Sequence, residues 1–423
     1  MTTLPLIAAM MSQTLLANPI GLLAPAPARS TWRMAIALAL AQALWMAAAF
    51  NVIGPRHADL LTGDVAYFLG HAKSALAGQV PYRDFSFEYP PGALLVMLFP
   101  AMLAGPTGDA TTYLWAFVAQ NILLAGVITV LLERWYGLRP AIAFNLLIAI
   151  SAAYLPLRFD LLPALLTLLA VRWSIDYPAR AGVALAFGVL VKLFPIVLLP
   201  TLLLFHFARR RGRPAVVLGV AFVATLSVTL LPIAIVTHNH QFDFLAFHRA
   251  RGIQIESIAG GLLLLAGKLH LVAVREETSF FSSNLVCPWS SVVLKTLQPL
   301  MLATFGVQWI KLWRRWRLSA ATERDLLIAA ATTLGIFICC NRVFSPQYLV
   351  WVIPLLVAAS VRLPIIATVC VITAIIFPFQ YAQLKQSHST AVLLLNVRNA
   401  LVVAAVSYGV ATRPRNRIAP VAL

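Results

Sequence analysis

Apolar runs of about 20 residues recur from Trp32 to Ala411, separated by short polar stretches. Each is long enough to cross the roughly 30 Å hydrocarbon core of a bilayer as a helix. Lipid offers no partner to a free backbone N–H or C=O, so such runs fold as helices rather than as a soluble core. A barrel would need alternating strands, which the continuous runs exclude. The pattern predicts an all-α polytopic membrane protein of about twelve spans. They fall near 33–53, 91–105, 112–132, 140–156, 160–175, 181–208, 214–237, 289–311, 325–341, 347–361, 363–380 and 391–411.

Lys and Arg orient these spans. Arg209, Arg210, Arg211 and Arg213 follow the sixth, and Lys311, Arg314, Arg315, Arg317 and Arg324 follow the eighth. Arg413, Arg415 and Arg417 follow the twelfth. With twelve spans all three clusters share one side, which the positive-inside rule makes the cytoplasm. Residues 1–32 and 412–423 are then cytoplasmic tails of a membrane domain at 33–411. The first tail has no basic residue before Arg29, so it lacks the charged start of a secretory signal. Stretches 54–90 and 238–288 face outward. Inside span six, Lys192 to Pro195 reads KLFP. Pro195 removes a backbone donor there, so the chain either kinks or turns back as a hairpin, in which case 91–105 is re-entrant.

The most polar interruption is Gly54 to Gly92, GPRHADLLTGDVAYFLGHAKSALAGQVPYRDFSFEYPPG. Val65, Phe68, Leu69, Ala72 and Leu76 recur at helical spacing, so 64–79 is expected to be an amphipathic helix lying on the membrane. Asp64 stands at its dipole-favoured start, and Gly78 can end it. Pro81, Pro90 and Pro91 hold the following segment extended.

Composition narrows the chemistry. The chain is 61% hydrophobic and 11% charged, with only 14 Asp plus Glu. Acids this rare in an apolar chain are costly unless they face water or a partner. Asp64 is therefore the candidate general base, although an Asp at a helix start also serves as a plain cap. Asp84 can line the same site or merely pair with Arg83, and Glu88 can line it or only anchor the loop. The net charge of +18 sits in the hinges, which argues for topology rather than nucleic-acid binding. Cys287, Cys339, Cys340 and Cys370 have neither metal nor disulfide spacing. No GxxxxGK[ST] or GxGxxG run is present, so a nucleotide fold is not expected.

A second cluster, HRARGIQIES, supplies His248, Arg249, Arg251, Gln254 and Glu256 on the outer side, against the positive-inside bias. Such cations suit a phosphate at the bilayer edge, though a basic group there also meets lipid headgroups. Lys192 lies in an apolar run, where a charge marks a pathway, here a cavity-facing contact to phosphate. In NRVFSPQYLVW, Arg342, Gln347 and Tyr348 either line the cavity mouth or only start a span.

Taken together, GDVAYFLGHAKSALAGQVPYRDFSFEYPPG, GVLVKLFPIVLLP, RGIQIES and SPQYLVW resemble glycosyltransferase family 87, over about Asp59 to Trp351. The resemblance implies a GT-C-type bundle in a bacterial cytoplasmic membrane, working on the outer face. It implies a polyprenyl-phosphate sugar donor, usually mannose, and a glycolipid or glycan acceptor. The family's first-loop aspartate falls on Asp64, with Tyr67 after it and Asp59 as the fallback; Tyr89 belongs to the same motif-bearing stretch. No cofactor is required, and a divalent metal is optional because fixed cations can carry the charge. A transporter or flippase of a lipid-linked sugar would use the same cavity without a base. The lack of visible internal repeats counts against it. A structural partner in an envelope complex would need no polar cavity.

Overall fold

The computed structural model describes residues 32–53, 62–105, 109–319, 321–361 and 363–411. Residues 1–31 and 412–423, Asp59 and the third cationic cluster lie outside them. The chain is a bundle of helices with a small cap at one end.

Helix α1 (Trp32–Ile53) packs antiparallel on α4 (Ala110–Tyr136), with Gln42 meeting Thr129 and Phe50 meeting Trp115. Between them in sequence lie α2 (Gly63–Leu76) and the short α3 (Ala93–Ala104). Asp109 starts α4 by accepting from the Thr111 and Thr112 amides. Then come α5 (Leu138–Ile150), α6 (Leu161–Asp176), α7 (Pro178–Val191), α8 (Leu198–Ala208) and α9 (Gly212–Val236).

The KLFP segment turns the chain rather than kinking it. Lys192 leaves α7 with extended torsions, and Phe194–Val197 forms a 3-10 turn. Pro195 folds back onto Gly188, and a Cβ at Gly188 would stand 3.3 Å from its Cγ. The first turn of α7 and the middle of α8 both reach the first half of α9. A Cβ on Gly182 would meet Leu218 O at 2.3 Å, so only glycine allows that approach, while Leu203 lies against Gly219. Helices α7 and α8 therefore form a hairpin whose tip carries Lys192. Gly92 N donates to Leu190 O at 2.8 Å, which seats the entry of α3 beside that tip.

The cap follows: α10 (Phe244–Ala250), β1 (Ile253–Gln254), α11 (Ile258–Lys268), β2 (Arg275–Ser279) and β3 (Ser282–Val286). The strands make an antiparallel sheet in the order β1-β3-β2. The long α12 (Ser290–Leu318) leads back through the bundle to α13 (Glu323–Cys340), which opens on a Thr322–Asp325 capping box. Then α14 (Leu349–Ala358), α15 (Pro364–Ala374), α16 (Tyr381–Lys385) and α17 (Ser389–Ala411) complete the chain.

Among the described residues, five helices are long and apolar enough to cross a membrane: those at Arg33–Ile53, Ala110–Tyr136, Gly212–Val236, Ser290–Leu318 and Ser389–Gly409. Several expected spans are shorter, such as the 12-residue α3 and the 10-residue α14. Proline explains one interruption: Pro195 stands in a 3-10 segment within the expected span 181–208, while Pro156 and Pro346 stand in 3-10 segments at the end of the expected span 140–156 and just before the expected span 347–361. The two described cationic clusters share one end of the bundle. Phe205, near the end of α8, meets Trp316 near the end of α12 at 5.4 Å. The Lys192 hairpin tip lies at the other end of α8.

Candidate active site

The segment around 64–79 folds as its periodicity predicts, and the apolar face of α2 is turned largely into the protein. Val65, Phe68, Leu69 and Ala72 are buried in the protein, with Phe68 against Phe117, Phe159 and Tyr89. Helix α2 is thereby held over the bundle with Asp64 in its first turn. Gly78, at φ +85, lets the chain leave. Asp64 keeps 42% of its side chain exposed, and Oδ2 lies 3.2 Å from Arg158 Nε. One turn on, the Tyr67 hydroxyl lies near Glu88, and its ring meets that of His71 edge-on at 4.3 Å. His71 Nε2 stands 3.5 Å from Glu88 Oε2. Burial pushes the Glu88 carboxyl up, but His71 and Tyr67 outweigh it and hold it below the usual range.

Behind this layer is a second carboxylate. Asp160, at the start of α6, is 1% exposed. Lys192 Nζ donates to both its oxygens, at 2.8 and 2.9 Å, and Trp351 Nε1 donates at 2.7 Å. The Lys192 ammonium also lies over the Phe159 ring at 4.8 Å. Trp351 is stacked between Phe194 at 3.9 Å and Tyr348 at 3.8 Å. The hairpin tip, the α6 start and the turn before α14 are thus joined at one ion.

The cap adds cations from above. The Arg251 charge reaches the hydroxyls of Tyr89 and Tyr348, and its Nε is buried without a hydrogen-bond partner among the described residues. Burial, then the charges of Arg251 and Lys192, press the His248 ring down to about 4. It is therefore neutral near pH 7, and it lies near the Glu88 backbone. Tyr381 lies near Ser283 of β3 and within electrostatic reach of Asp64. The cluster so formed runs Asp64–Tyr89–Arg251–His248–Lys192, with Glu88 at its edge.

Several expected residues have other work. Asp84 is exposed and closes its own turn: Val80 N donates to it at 2.7 Å and Arg83 pairs with it at 2.9 Å. Arg83 and the Val80 amide together hold its carboxyl down at about 2. Arg342 donates to the Arg249 and Arg251 carbonyls, both at 2.9 Å, so it shapes the Arg251 loop. Arg249 itself is exposed. Gln254 binds Phe344 N at 2.7 Å and Glu256 at 3.2 Å, which ties β1 to the turn after α13. Glu256 is buried with Arg398, and burial raises its carboxyl to about 7. Gln347 is half-buried in the 3-10 turn Pro346–Tyr348. Among the described residues no group of three or more His, Cys, Asp or Glu converges as a metal site.

Arg158, Asp160, His71 and Trp351 escaped the sequence reading. The rarity of acids that singled out Asp64 applies equally to Asp160, in RFD between two apolar runs. Its masking signal was position: it reads as the ordinary polar start of a span.

A search of curated proteins finds no match. The family model of glycosyltransferase family 87 matches residues 87–346, more than half of the chain, and takes in Glu88, Arg158, Asp160, Lys192, His248, Arg251 and Arg342. Asp64 and Tyr67 precede the matched residues, and on the match the chain belongs to glycosyltransferase family 87, as a membrane glycosyltransferase.

Proposed function

We propose that the protein transfers a sugar, mannose first among candidates, from a polyprenyl-phosphate donor to a glycolipid or glycan on the outer face of a bacterial cytoplasmic membrane. The observation that carries this reading is that a half-exposed carboxylate, Asp64, shares the bundle end away from the described cationic hinges with Arg251 and Lys192, Tyr89 lying within electrostatic reach of Asp64 and Arg251, and His248 within reach of Arg251 and Lys192. A lipid-linked donor needs no nucleotide fold. An apolar groove of about 280 Å³, lined by Tyr82, Pro91, Leu94, Pro232 and Ile233, gives its tail a place beside the site. Tyr82 links the two, because its hydroxyl donates to the Tyr89 carbonyl.

In the proposed reaction Asp64 accepts the acceptor hydroxyl proton as the oxygen bonds to the anomeric carbon. The bond from that carbon to the phosphate oxygen breaks, and polyprenyl phosphate leaves with the electron pair. Arg251, with its unpartnered buried Nε, and the Lys192 ammonium stabilise the leaving charge. One direct displacement inverts the anomeric centre.

The test is transfer from radiolabelled polyprenyl-phosphate mannose to membrane glycolipids by the purified protein. Labelled product that disappears in Asp64→Asn, while donor binding persists, is expected. No product from active wild-type preparations, or an unchanged rate in Asp64→Asn, rejects the reading.

A further inference from the structure

The tip of the β2–β3 hairpin breaks a rule of turn chemistry. Ser279 pairs with Ser282, which leaves a two-residue loop made of Phe280 and Phe281. Both have φ of +53. Two-residue hairpin loops with positive φ at both positions favour Asn-Gly, because a side chain with a Cβ, and above all a bulky one, is strained there. Two phenylalanines are the opposite choice. The turn is nonetheless held firmly: Asn284 Nδ2 donates to Ser279 O at 2.8 Å, Ser279 Oγ at 3.0 Å and Ser282 O at 3.3 Å. Strain that the surroundings over-determine is a mark of function.

The two rings do different things. Phe280 packs on Phe247 of α10 at 5.3 Å and anchors the tip. Phe281 leaves 72% of itself exposed. Its ring lies 4.7 Å from that of Tyr67, tilted by 41°. Tyr67 stands one helical turn after Asp64, and its ring is held edge-on against His71 at 4.3 Å. On the same hairpin, Ser283 lies near Tyr381 of α16, which is within electrostatic reach of Asp64. Lys385 holds Glu276 at 3.5 Å, so β2 is moored to α16 as well. An exposed aromatic ring is therefore fixed above the proposed base at the mouth of the site.

We infer that Phe281 and Tyr67 form a stacking platform for the acceptor, and that the acceptor group is a sugar ring. A pyranose or furanose presents an apolar C–H face that stacks on an aromatic ring and a rim of hydroxyls that bond sideways. Here the face rests on Phe281 and Tyr67, and one rim hydroxyl is delivered to Asp64. A simple alcohol or a serine side chain has no such face and gains nothing from the strained turn. The inference rests on the transferase reading above and assigns its acceptor class.

The test uses the purified full-length protein and a panel of methyl glycosides: mannoside, glucoside, galactoside and arabinofuranoside, with propane-1,2-diol as the control. Saturation-transfer difference NMR reads binding without any donor, and transfer from polyprenyl-phosphate mannose reads the acceptor KM. At least one glycoside is expected to bind through its ring C–H protons. Phe281→Asn is expected to weaken that binding and raise the acceptor KM about tenfold, the scale of one lost aromatic contact, with donor KM unchanged. Phe281→Trp keeps both. Because Asn suits the left-handed turn, Phe281→Asn also raises the melting temperature, an outcome that a purely structural phenylalanine would reverse. Binding and acceptor KM that stay at wild-type values in Phe281→Asn overturn the proposal. So does a protein that binds no glycoside, or one that uses the diol as well as the sugars. If polyprenyl-phosphate mannose is not consumed at all, the donor assignment fails, while the NMR experiment still decides the platform.

Discussion

Two carboxylate–cation pairs lie close together in this protein, and they are built oppositely. Asp160 is sealed in, with both oxygens on Lys192 and a third donor from Trp351. Asp64 meets Arg158 at 3.2 Å and keeps 42% of its side chain exposed. A carboxylate whose lone pairs are filled by fixed donors cannot take a proton from a substrate, but it can hold three segments in register. A carboxylate with one ionic partner among the described residues and an exposed side is free to act as a base. The same residue type thus serves geometry in one place and chemistry in the other, and the number of fixed donors decides which.

The sharpest way to break this contrast is to remove each acid in turn. Asp64→Asn keeps the shape of the side chain and removes its basicity, so transfer should fall by roughly a hundredfold to ten-thousandfold, measured as initial rate. Thermal unfolding should hardly move, since a half-exposed ion pair contributes little. Asp160→Ala should do the reverse in kind. It strands the Lys192 ammonium and the Trp351 N–H, and a broken buried pair costs about 3–5 kcal/mol in unfolding experiments. Adding Lys192→Met should recover most of that loss, because no unpaired charge then remains. If Asp160→Ala were no less stable than Asp64→Asn, the distinction between the two pairs would be wrong.

A smaller effect concerns Glu256, buried below the site. Its carboxyl is raised from the ordinary range to about 7 by burial, so the folded protein holds a proton that the unfolded chain releases. That stability is fully present below the unfolded value and is lost as pH rises toward and through about 7. Wild-type melting temperature minus that of Glu256→Gln should therefore decline between about pH 5 and 8. A difference that rises over that range contradicts a raised Glu256. Smallest of all is the change at Asp84. Its carboxylate is bound by its own turn, so Asp84→Asn should leave the transfer rate within about twofold of wild type. A large loss would place it in the site after all.

The same contrast shows how far the residues could be read in order. Helix α2 was legible because its apolar face repeats at helical spacing, and Asp64 because acids are scarce in this chain. Its resting place was not. The Phe68 face could have lain on lipid, and only the rings of Phe117 and Phe159, distant in sequence, draw it onto the protein. Lys192 was visible as a charge in an apolar run, whereas its partner Asp160, 32 residues away, was not. Local pattern carries no record of which distant acid will meet a cation. Arg342 and Gln254 looked like binding residues by type, and packing made them braces for the Arg251 loop and β1.

From the order of its residues alone the chain is a helical membrane protein with basic hinges between its apolar runs, four of its 14 acids in one polar stretch and motifs resembling those of a family of transferases. These follow from effects that act locally: lipid rejects unpaired backbone groups, and positive charge resists translocation. The hairpin at Lys192, the shortness of several helices, the sealing of Asp160 and the aromatic pair over Asp64 came only with the tertiary structure. Each depends on which segments meet across the bundle, and that is settled by packing and by the pairing of buried charges between residues far apart in the chain.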